Sequence, residues 1–107
     1  MKLELKGVTP KIGKNTFVAP SADLIGQVEI GEESSVWFQC VLRGDVTPIK
    51  VGDYTNIQDG TVINGTYNKF DVQIGNYVTI GHKAMIHGCH IGDEAFVGMG
   101  AILLDGS

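Results

Sequence analysis

The feature that most constrains the fold of this chain is an aliphatic residue that recurs every six positions over nearly the whole sequence. The spacing breaks only three times: three residues are added after Leu42, five are added after Ile63, and one is missing after Ile86. In chain order the series is Ile12, Val18, Leu24, Ile30, Val36, Leu42, Val51, Ile57, Ile63, Ile74, Ile80, Ile86, Ile91, Val97 and Leu103. An amphipathic helix needs apolar spacings of three and four, and a half-buried strand needs a spacing of two, so neither explains this pattern.

A second position of the repeat is also regular. A small or β-branched residue lies four positions after most of the aliphatic residues, and glycine often follows the aliphatic residue directly, as in Ile30-Gly31. The residues at this second position are Thr16, Ala22, Val28, Ser34, Cys40, Val46, Thr55, Thr61, Val78, Ala84, Ala95 and Ala101. A period of six with these features is typical of a β-helix built from hexapeptide repeats. The aliphatic residue fills the interior, the small residue fits a corner, and glycine tolerates the bend.

We therefore predict an all-β fold, a single-stranded parallel β-helix in which three six-residue units close one triangular coil. The fifteen units correspond to about five coils. The fold resembles the left-handed class of parallel β-helix, and the handedness is taken from that resemblance. One domain spans residues 1–107, with a lead-in at 1–11, coils at 12–107 and loops near 46–50 and 64–71. Solenoid ends normally need caps, and this chain stops in mid-repeat, so we expect that its C-terminal part is truncated.

Composition excludes several functional classes. The net charge is −4 and no cluster of Lys and Arg exists, which argues against a nucleic-acid partner. No stretch approaches the ~20 apolar residues of a membrane span, and the N-terminus has no apolar signal-peptide core, so we expect a cytoplasmic protein without a membrane partner. Cys40 and Cys89 both fall at inward positions, which predicts buried thiols rather than a disulfide.

The repeat register predicts which polar side chains stack on one another. Every third unit shares a column, so the residues that directly follow Leu42, Ile63 and Ile86 should lie one above another; these residues are Arg43, Asn64 and His87. By the same register Asp59 and His82 should stack in a different column on another side. The two histidines should therefore face different directions on one chain.

This arrangement predicts a metal site between subunits rather than within one chain. Triangular prisms of this class commonly trimerise side by side, and a threefold axis could bring His82 of one chain to His87 and Asn64 of the next. Catalytic zinc takes three protein ligands and a water. Asn64 offers only a neutral amide oxygen, which is a poorer zinc ligand than imidazole, so we expect it to weaken metal binding.

Four motifs together resemble the γ-class carbonic anhydrases and their homologues. The motifs are Arg43-Gly44-Asp45, the segment Asn56–Ile63, the segment Gly81–Cys89 and the segment Val97–Ala101. The resemblance covers roughly residues 10–107. It implies a homotrimer with Zn²⁺, or Fe²⁺ or Co²⁺, between subunits, and the reversible hydration of CO₂ to bicarbonate.

The resemblance also assigns roles to individual residues. His82 would be a metal ligand from one subunit and His87 a ligand from its neighbour, and Asn64 stands where the family has its first histidine ligand. Arg43 and Asp45 would form an ion pair between subunits beside the metal. Gln58 would hold the metal-bound water, with Asp59 close by.

Two other interpretations stay open from the sequence. The chain could be a metal-poor trimeric scaffold without catalytic activity. It could also be a hexapeptide acyltransferase that uses an intersubunit histidine as general base towards an acyl-CoA. The paired histidines and the Arg-Gly-Asp motif disfavour the acyltransferase, as does the lack of basic residues to hold CoA phosphates.

Overall fold

The fold is a parallel β-helix of short strands. The structure is a computed structural model that describes residues 1–107, and it contains strands, turns and bends but no helix, hence none that could span a membrane. The strands are β1 Lys2–Leu3, β2 Lys11–Ile12, β3 Phe17–Val18, β4 Asp23–Ile30, β5 Ser35–Val36, β6 Val41–Val51, β7 Asn56–Ile57, β8 Val62–Asn64, β9 Val72–Ile74, β10 Thr79–Ile80, β11 Met85–His87, β12 His90–Ile91, β13 Phe96–Val97 and β14 Ile102–Leu103.

The strands stack into three faces, each with parallel pairing only. The first face runs β1, β4, β6, β8, β11 and β14. The second face holds β2, the later halves of β4 and β6, β9 and β12. The third face runs β3, β5, β7, β10 and β13. The predicted β-helix of about five coils is therefore confirmed, because each face receives one strand, or half of a long one, from each successive coil.

The aliphatic series forms the vertical columns that the register predicts. Leu42 pairs with Ile63, Ile63 pairs with Ile86, and on the third face Ile57 pairs with Ile80. All five side chains are fully buried in one continuous core. Burial of a Leu or Ile side chain contributes roughly 1.5–3 kcal/mol, so these columns supply most of the driving force for coil stacking.

Both cysteines are buried and free, as predicted. Cys40 and Cys89 lie in the hydrophobic core and form no disulfide. Burial raises the pKa of both thiols above the ordinary value, because an apolar environment disfavours the thiolate. The two side chains therefore serve as small packing residues.

The prediction of a loop near residues 46–50 is wrong, because these residues lie within β6. Ile49 is 1% exposed and pairs with Val28 on one side and Val72 on the other. Val46, predicted to fill the inward corner position, is 37% exposed. The three added residues are absorbed where the pairing of β4 with β6 shifts register opposite Gln27. Ile49 takes the inward position because it is the larger apolar residue and stands two places before Val51.

Buried polar groups at the corners bond from coil to coil. The Thr61 hydroxyl donates to the carbonyl of Gly81 at 3.0 Å and accepts from the N–H of Ala84 at 3.3 Å. Thr55 makes the same kind of bridge to Gly75 and Val78. No buried side-chain nitrogen or oxygen lacks a partner. The corners are thus rigid points from which the surface side chains project.

The outward positions of the three faces differ in chemistry. The stripe on the first face continues from Asp23 through Val41, Val62, Met85 and Ile102. The stripe on the second face is polar throughout: Lys11, Glu29, Lys50, Gln73 and His90. The stripe on the third face has aromatic ends and a polar centre: Phe17, Ser35, Asn56, Thr79 and Phe96. The second face thus suits water, whereas the first carries four apolar side chains in a row.

Candidate metal and catalytic site

His87 and Asn64 lie side by side on the first face. β11 pairs with β8 in a register that places His87 opposite Asn64, at the last residue of each strand. Since Leu42 pairs with Ile63, the register extends to Arg43 next to Asn64, one coil before it. The predicted place of Asn64 beside His87 is therefore confirmed, and Arg43 stands one residue past the last pair that β6 makes with β8.

A carboxylate orients the ring of His87. The Nδ1 atom of His87 lies 2.5 Å from Oδ1 of Asp105, and the other carboxylate oxygen accepts a hydrogen bond from the Thr66 hydroxyl at 2.6 Å. The hydrogen bonds from Thr66 and then from His87 hold the pKa of Asp105 below its ordinary value. An ionised carboxylate can only accept, so Nδ1 carries a proton, and in the neutral ring Nε2 therefore keeps its lone pair.

His82 also directs Nδ1 at a carboxylate, at a longer distance than His87 does. Its Nδ1 atom lies 3.4 Å from Oδ1 of Asp59, which belongs to the neighbouring coil. His82 follows β10 on the third face, whereas His87 ends β11 on the first face. The two histidines therefore lie on different faces, as the register predicts, and both have Nδ1 directed at an aspartate.

The third histidine is held in the opposite sense. His90 lies on the polar second face, and its Nε2 atom contacts Oδ1 of Asp71 at 2.8 Å. Gln73 donates to the other oxygen of Asp71 at 3.1 Å. His90 is therefore separated from the other two histidines both in place and in ring orientation, which agrees with its exclusion from the predicted ligand set.

Gln58 stands in a row of oriented polar groups on the third face. Its Nε2 atom donates to Oδ1 of Asn56 at 2.9 Å, and Asn56 donates to the Thr79 hydroxyl at 3.2 Å. These bonds leave the side-chain amide oxygen of Gln58, Oε1, as a free acceptor. A shallow depression on this face is lined by Ser35, Trp37, Asn56, Gln58, Asp59 and His82. The structure thus brings Gln58, Asp59 and His82 together.

Arg43 and Asp45 pair with each other within one chain. The guanidinium Nε and one terminal nitrogen both donate to Oδ2 of Asp45, at 3.3 and 3.0 Å, and Oδ1 accepts from the N–H of Val46. The Arg43 side chain is 46% exposed. The expected ion pair across subunits stays a prediction, for which Arg43 remains accessible.

The donor set suits a metal shared between chains and not one held by a single chain. No group of three or more His, Cys, Asp or Glu residues within the chain could hold a metal ion. His87 has Nδ1 hydrogen-bonded to Asp105, and His82 has Nδ1 directed at Asp59 from 3.4 Å, so each ring presents Nε2 away from its carboxylate, as metal-ligating histidines usually do. Asn64 is the weak member, because its Oδ1 already accepts a hydrogen bond from the N–H of Gly65 at 2.8 Å.

Sequence reasoning missed Asp105 and Asn56. Leu103 pairs with Ile86, so in the next coil Leu104 is the register partner of His87 and Asp105 directly follows it. The register that predicts Asn64 next to His87 in the preceding coil could also have been extended to the following coil, where it leads to Asp105. Asn56 could have been found as the outward residue two positions before Gln58, because side chains at alternate strand positions share a face.

Comparison with known proteins supports the resemblance. A model of the bacterial transferase hexapeptide family, six repeats long, matches residues 71–105. A protein named "Gamma carbonic anhydrase 2, mitochondrial" from Arabidopsis thaliana is 54% identical over 103 residues, which cover 92% of this chain and 37% of that protein. A "Probable carbonic anhydrase" from Methanocaldococcus jannaschii is 48% identical and covers 86% of this chain and 57% of its own length.

A solved structure agrees with the fold in detail. A protein from Anaplasma phagocytophilum described as a member of the hexapeptide transferase family superposes with a TM-score of 0.92 and 46% identity, over 97% of this chain and 60% of that one. The chain therefore spans between about a third and three fifths of the length of these relatives. On the repeat, the motifs and these identities, the chain belongs to the γ-carbonic anhydrase-like family of hexapeptide-repeat proteins.

Proposed function

We propose that this protein catalyses the metal-dependent, reversible hydration of CO₂ to bicarbonate at the interface between subunits of a homotrimer. The observation that carries the proposal is the shared ring orientation of two histidines. His82 and His87 each direct Nδ1 at an aspartate and keep Nε2 for a metal, while His90 on the second face does not.

The surface chemistry supports a trimer in which the first face of one chain meets the third face of the next. The first face offers an apolar stripe and the third offers Phe17, Trp37 and Phe38, whose rings contact one another at 5.0–6.4 Å between centroids. Phe17 and Phe38 are 43% and 46% exposed in the isolated chain. Apolar and aromatic groups of this kind are enriched at subunit interfaces. Such packing would bring His87 of one chain towards His82 of its neighbour.

The residues present would then divide the work of the site. His82, His87 and the weaker Asn64 would hold Zn²⁺, or alternatively Fe²⁺ or Co²⁺. The metal, when bound, supplies Lewis acidity that lowers the pKa of a coordinated water towards ~7. Gln58 would accept a hydrogen bond from the reacting water through its side-chain amide oxygen, and Asp59 would orient His82. Arg43 and Asp45 would stabilise the interface. We expect the protein to act in the cytoplasm.

A metal-poor trimeric scaffold is the second candidate, and Asn64 favours it. The amide oxygen bonded to Gly65 would have to coordinate metal with its remaining lone pair, in a position where imidazole binds zinc far better. A hexapeptide acyltransferase is the third candidate, and its support is the description of the Anaplasma relative. Turnover of acetyl-CoA would favour it over the other two.

The test is to measure metal content and oligomeric mass together, and then CO₂ hydration. About one metal ion per chain in a trimer supports the proposal, and a metal-free trimer supports the scaffold. A complementation experiment tests the shared site directly. His82→Ala and His87→Ala should each abolish metal binding, and random mixing of the two variants should restore about a quarter of the sites, because only one interface in four then joins two intact histidines. His90→Ala is the control and should leave metal content unchanged.

A further inference from the structure

We propose that Asp105 is the positioning residue of the metal site, and that the hairpin of residues 65–71 sets its place through Thr66. The inference rests on the proposed function, because it concerns how His87 is presented to a metal. It goes beyond that function in naming a carboxylate and a loop that the resemblance does not assign.

Two further contacts hold Asp105 beside His87. The Thr66 hydroxyl donates to Oδ2 at 2.6 Å, which leaves Oδ1 for the His87 ring. The N–H of the next residue, Gly106, donates to the carbonyl of Gly88 at 2.8 Å, which ties the turn to the end of β11. The carboxylate is therefore held from the side chain and from the backbone at once.

Gly88 leaves the space that Asp105 occupies. A Cβ atom at Gly88 would stand 2.2 Å from Oδ1 of Asp105 and 2.7 Å from Cβ of Phe70. Gly88 also has a φ of +56°, which L side chains rarely adopt. Any larger residue at position 88 would thus displace the Asp105 carboxylate or the Phe70 side chain. The contact between Asp105 and His87 therefore depends on a glycine at this position.

The hairpin reaches the same point from the other side. Its two arms meet through a bridge between Thr66 and Phe70, and the Phe70 ring passes 3.4 Å from where a Cβ of Gly106 would lie. Asn64 immediately precedes this hairpin and ends β8. The hairpin therefore supplies the hydroxyl that orients the partner of His87, and it begins directly after the candidate ligand Asn64.

A carboxylate in this position does two things for a metal-binding histidine. It fixes the tautomer with the proton on Nδ1, and it restricts rotation of the ring. Loss of a residue that hydrogen-bonds to a metal-ligating histidine typically lowers metal affinity about 10–100-fold. Asp71 contacts the other ring nitrogen, Nε2, of His90 on the second face, so the Asp71–His90 pair provides a matched control within the same chain.

The first experiment measures Zn²⁺ affinity of the purified trimer by competition with a chromophoric chelator. Asp105→Ala should lower the affinity about 10–100-fold and Thr66→Val by a smaller factor, whereas Asp71→Ala should stay within about twofold of the unmodified protein. Equal affinity in Asp105→Ala and the unmodified trimer would overturn the inference. Thr66→Val keeps the test decisive if Asp105→Ala fails to assemble.

The second experiment needs no metal. The protein has three histidines, so ¹⁵N NMR of the metal-free chain at alkaline pH resolves each ring tautomer, and His87→Gln assigns the signal. His87 should carry its proton on Nδ1 in the unmodified protein and lose this preference in Asp105→Ala. If the unmodified trimer binds no Zn²⁺, the proposed function fails while this measurement still decides the role of Asp105. An unchanged His87 tautomer in Asp105→Ala would refute that role.

Discussion

Asn64 and His87 occupy matched positions on neighbouring strands, paired Cα to Cα at the ends of β8 and β11. Strands that pair in a sheet lie about 4.8 Å apart, so side chains at these two positions on one face are immediate neighbours. A second imidazole at residue 64 would therefore stand next to the first without any change of backbone. The weakness of the candidate metal site lies in the chemistry of one side chain and not in the fold.

Asn64→His should convert the site into one with three histidine ligands. Residues that hydrogen-bond to a metal ligand change metal affinity by roughly 10–100-fold. We expect Zn²⁺ affinity to rise by more than this, because Asn64→His adds an imidazole that coordinates the metal directly. CO₂ hydration should rise with it. Chelator competition and stopped-flow hydration assays measure the two effects. Asn68→His, in the exposed tip of the hairpin, makes the same substitution away from the site and should change neither. Unchanged affinity in Asn64→His would mean that residue 64 does not face the metal.

Arg43→Ala should weaken assembly of the trimer much more than it lowers the stability of the single chain. On one chain the Arg43–Asp45 pair is partly exposed, and such pairs contribute about 0–1 kcal/mol to the free energy of unfolding. At a subunit interface the loss of Arg43 would leave Asp45 buried and unpaired, which costs about 3–5 kcal/mol. The trimer of Arg43→Ala should therefore dissociate at much higher protein concentration, as measured by mass photometry over a dilution series. Lys50→Ala, on the polar second face, is the control. Equal dissociation of both variants would place Arg43 outside the interface.

Most of the fold could be predicted from the sequence because every coil is built from units of the same length, six residues. A coil closes after three six-residue units, so the aliphatic spacing along the chain translates directly into columns such as Leu42, Ile63 and Ile86. The same register placed His82 and His87 on separate faces. Periodicity loses this power inside an insertion, where burial decides the path. Ile49 and Val46 could both have taken the inward position, and only packing against Val28 and Val72 selects Ile49.

The candidate site could be predicted in part for the same reason. The columns locate residues that share a face, but they carry no information on which side chains bond within it. The contact of Asp105 with His87 depends on the turn that follows β14 and on Thr66 from a hairpin outside the repeat. Contacts between chains are also outside the periodicity of one chain. The trimer therefore stays a proposal that rests on the chemistry of the outward stripes.

Ile63→Ala should show how strongly the central column holds the coils together. Ile63 is fully buried between Leu42 and Ile86, so truncation removes apolar contacts on both sides and leaves a cavity. We expect the free energy of unfolding to fall by about 2–5 kcal/mol in urea titrations followed by circular dichroism. Val8→Ala, at a position 42% exposed in the lead-in, should change it by less than about 0.5 kcal/mol. A similar small effect for Ile63→Ala would contradict the observed packing.

Asp71→Asn should alter the response of the fold to acid. The hydrogen bond from His90, and then the one from Gln73, hold the pKa of Asp71 below its ordinary value. A carboxyl whose pKa is lower in the folded state than in the unfolded state stabilises the fold above the unfolded pKa of about 4, and this stabilisation is lost as the pH falls through the folded value. The variant should therefore be less stable than the unmodified protein near neutral pH, and the difference should shrink below about pH 4. The effect is small, because the pair is partly exposed to solvent.

Urea unfolding at a series of pH values between about 2 and 7 measures this difference, since the slope of stability against pH reports the difference in bound protons. Glu29→Gln removes one negative charge from the same face without disturbing the pair, and it separates a change of net charge from the loss of the Asp71–His90 contact. The acid limb should be shallower in Asp71→Asn than in Glu29→Gln. Parallel limbs in the two variants would mean that His90 does not bind Asp71 in solution. Because the pair lies on the polar second face, metal content should be the same in both variants, which keeps this measurement independent of the proposed site.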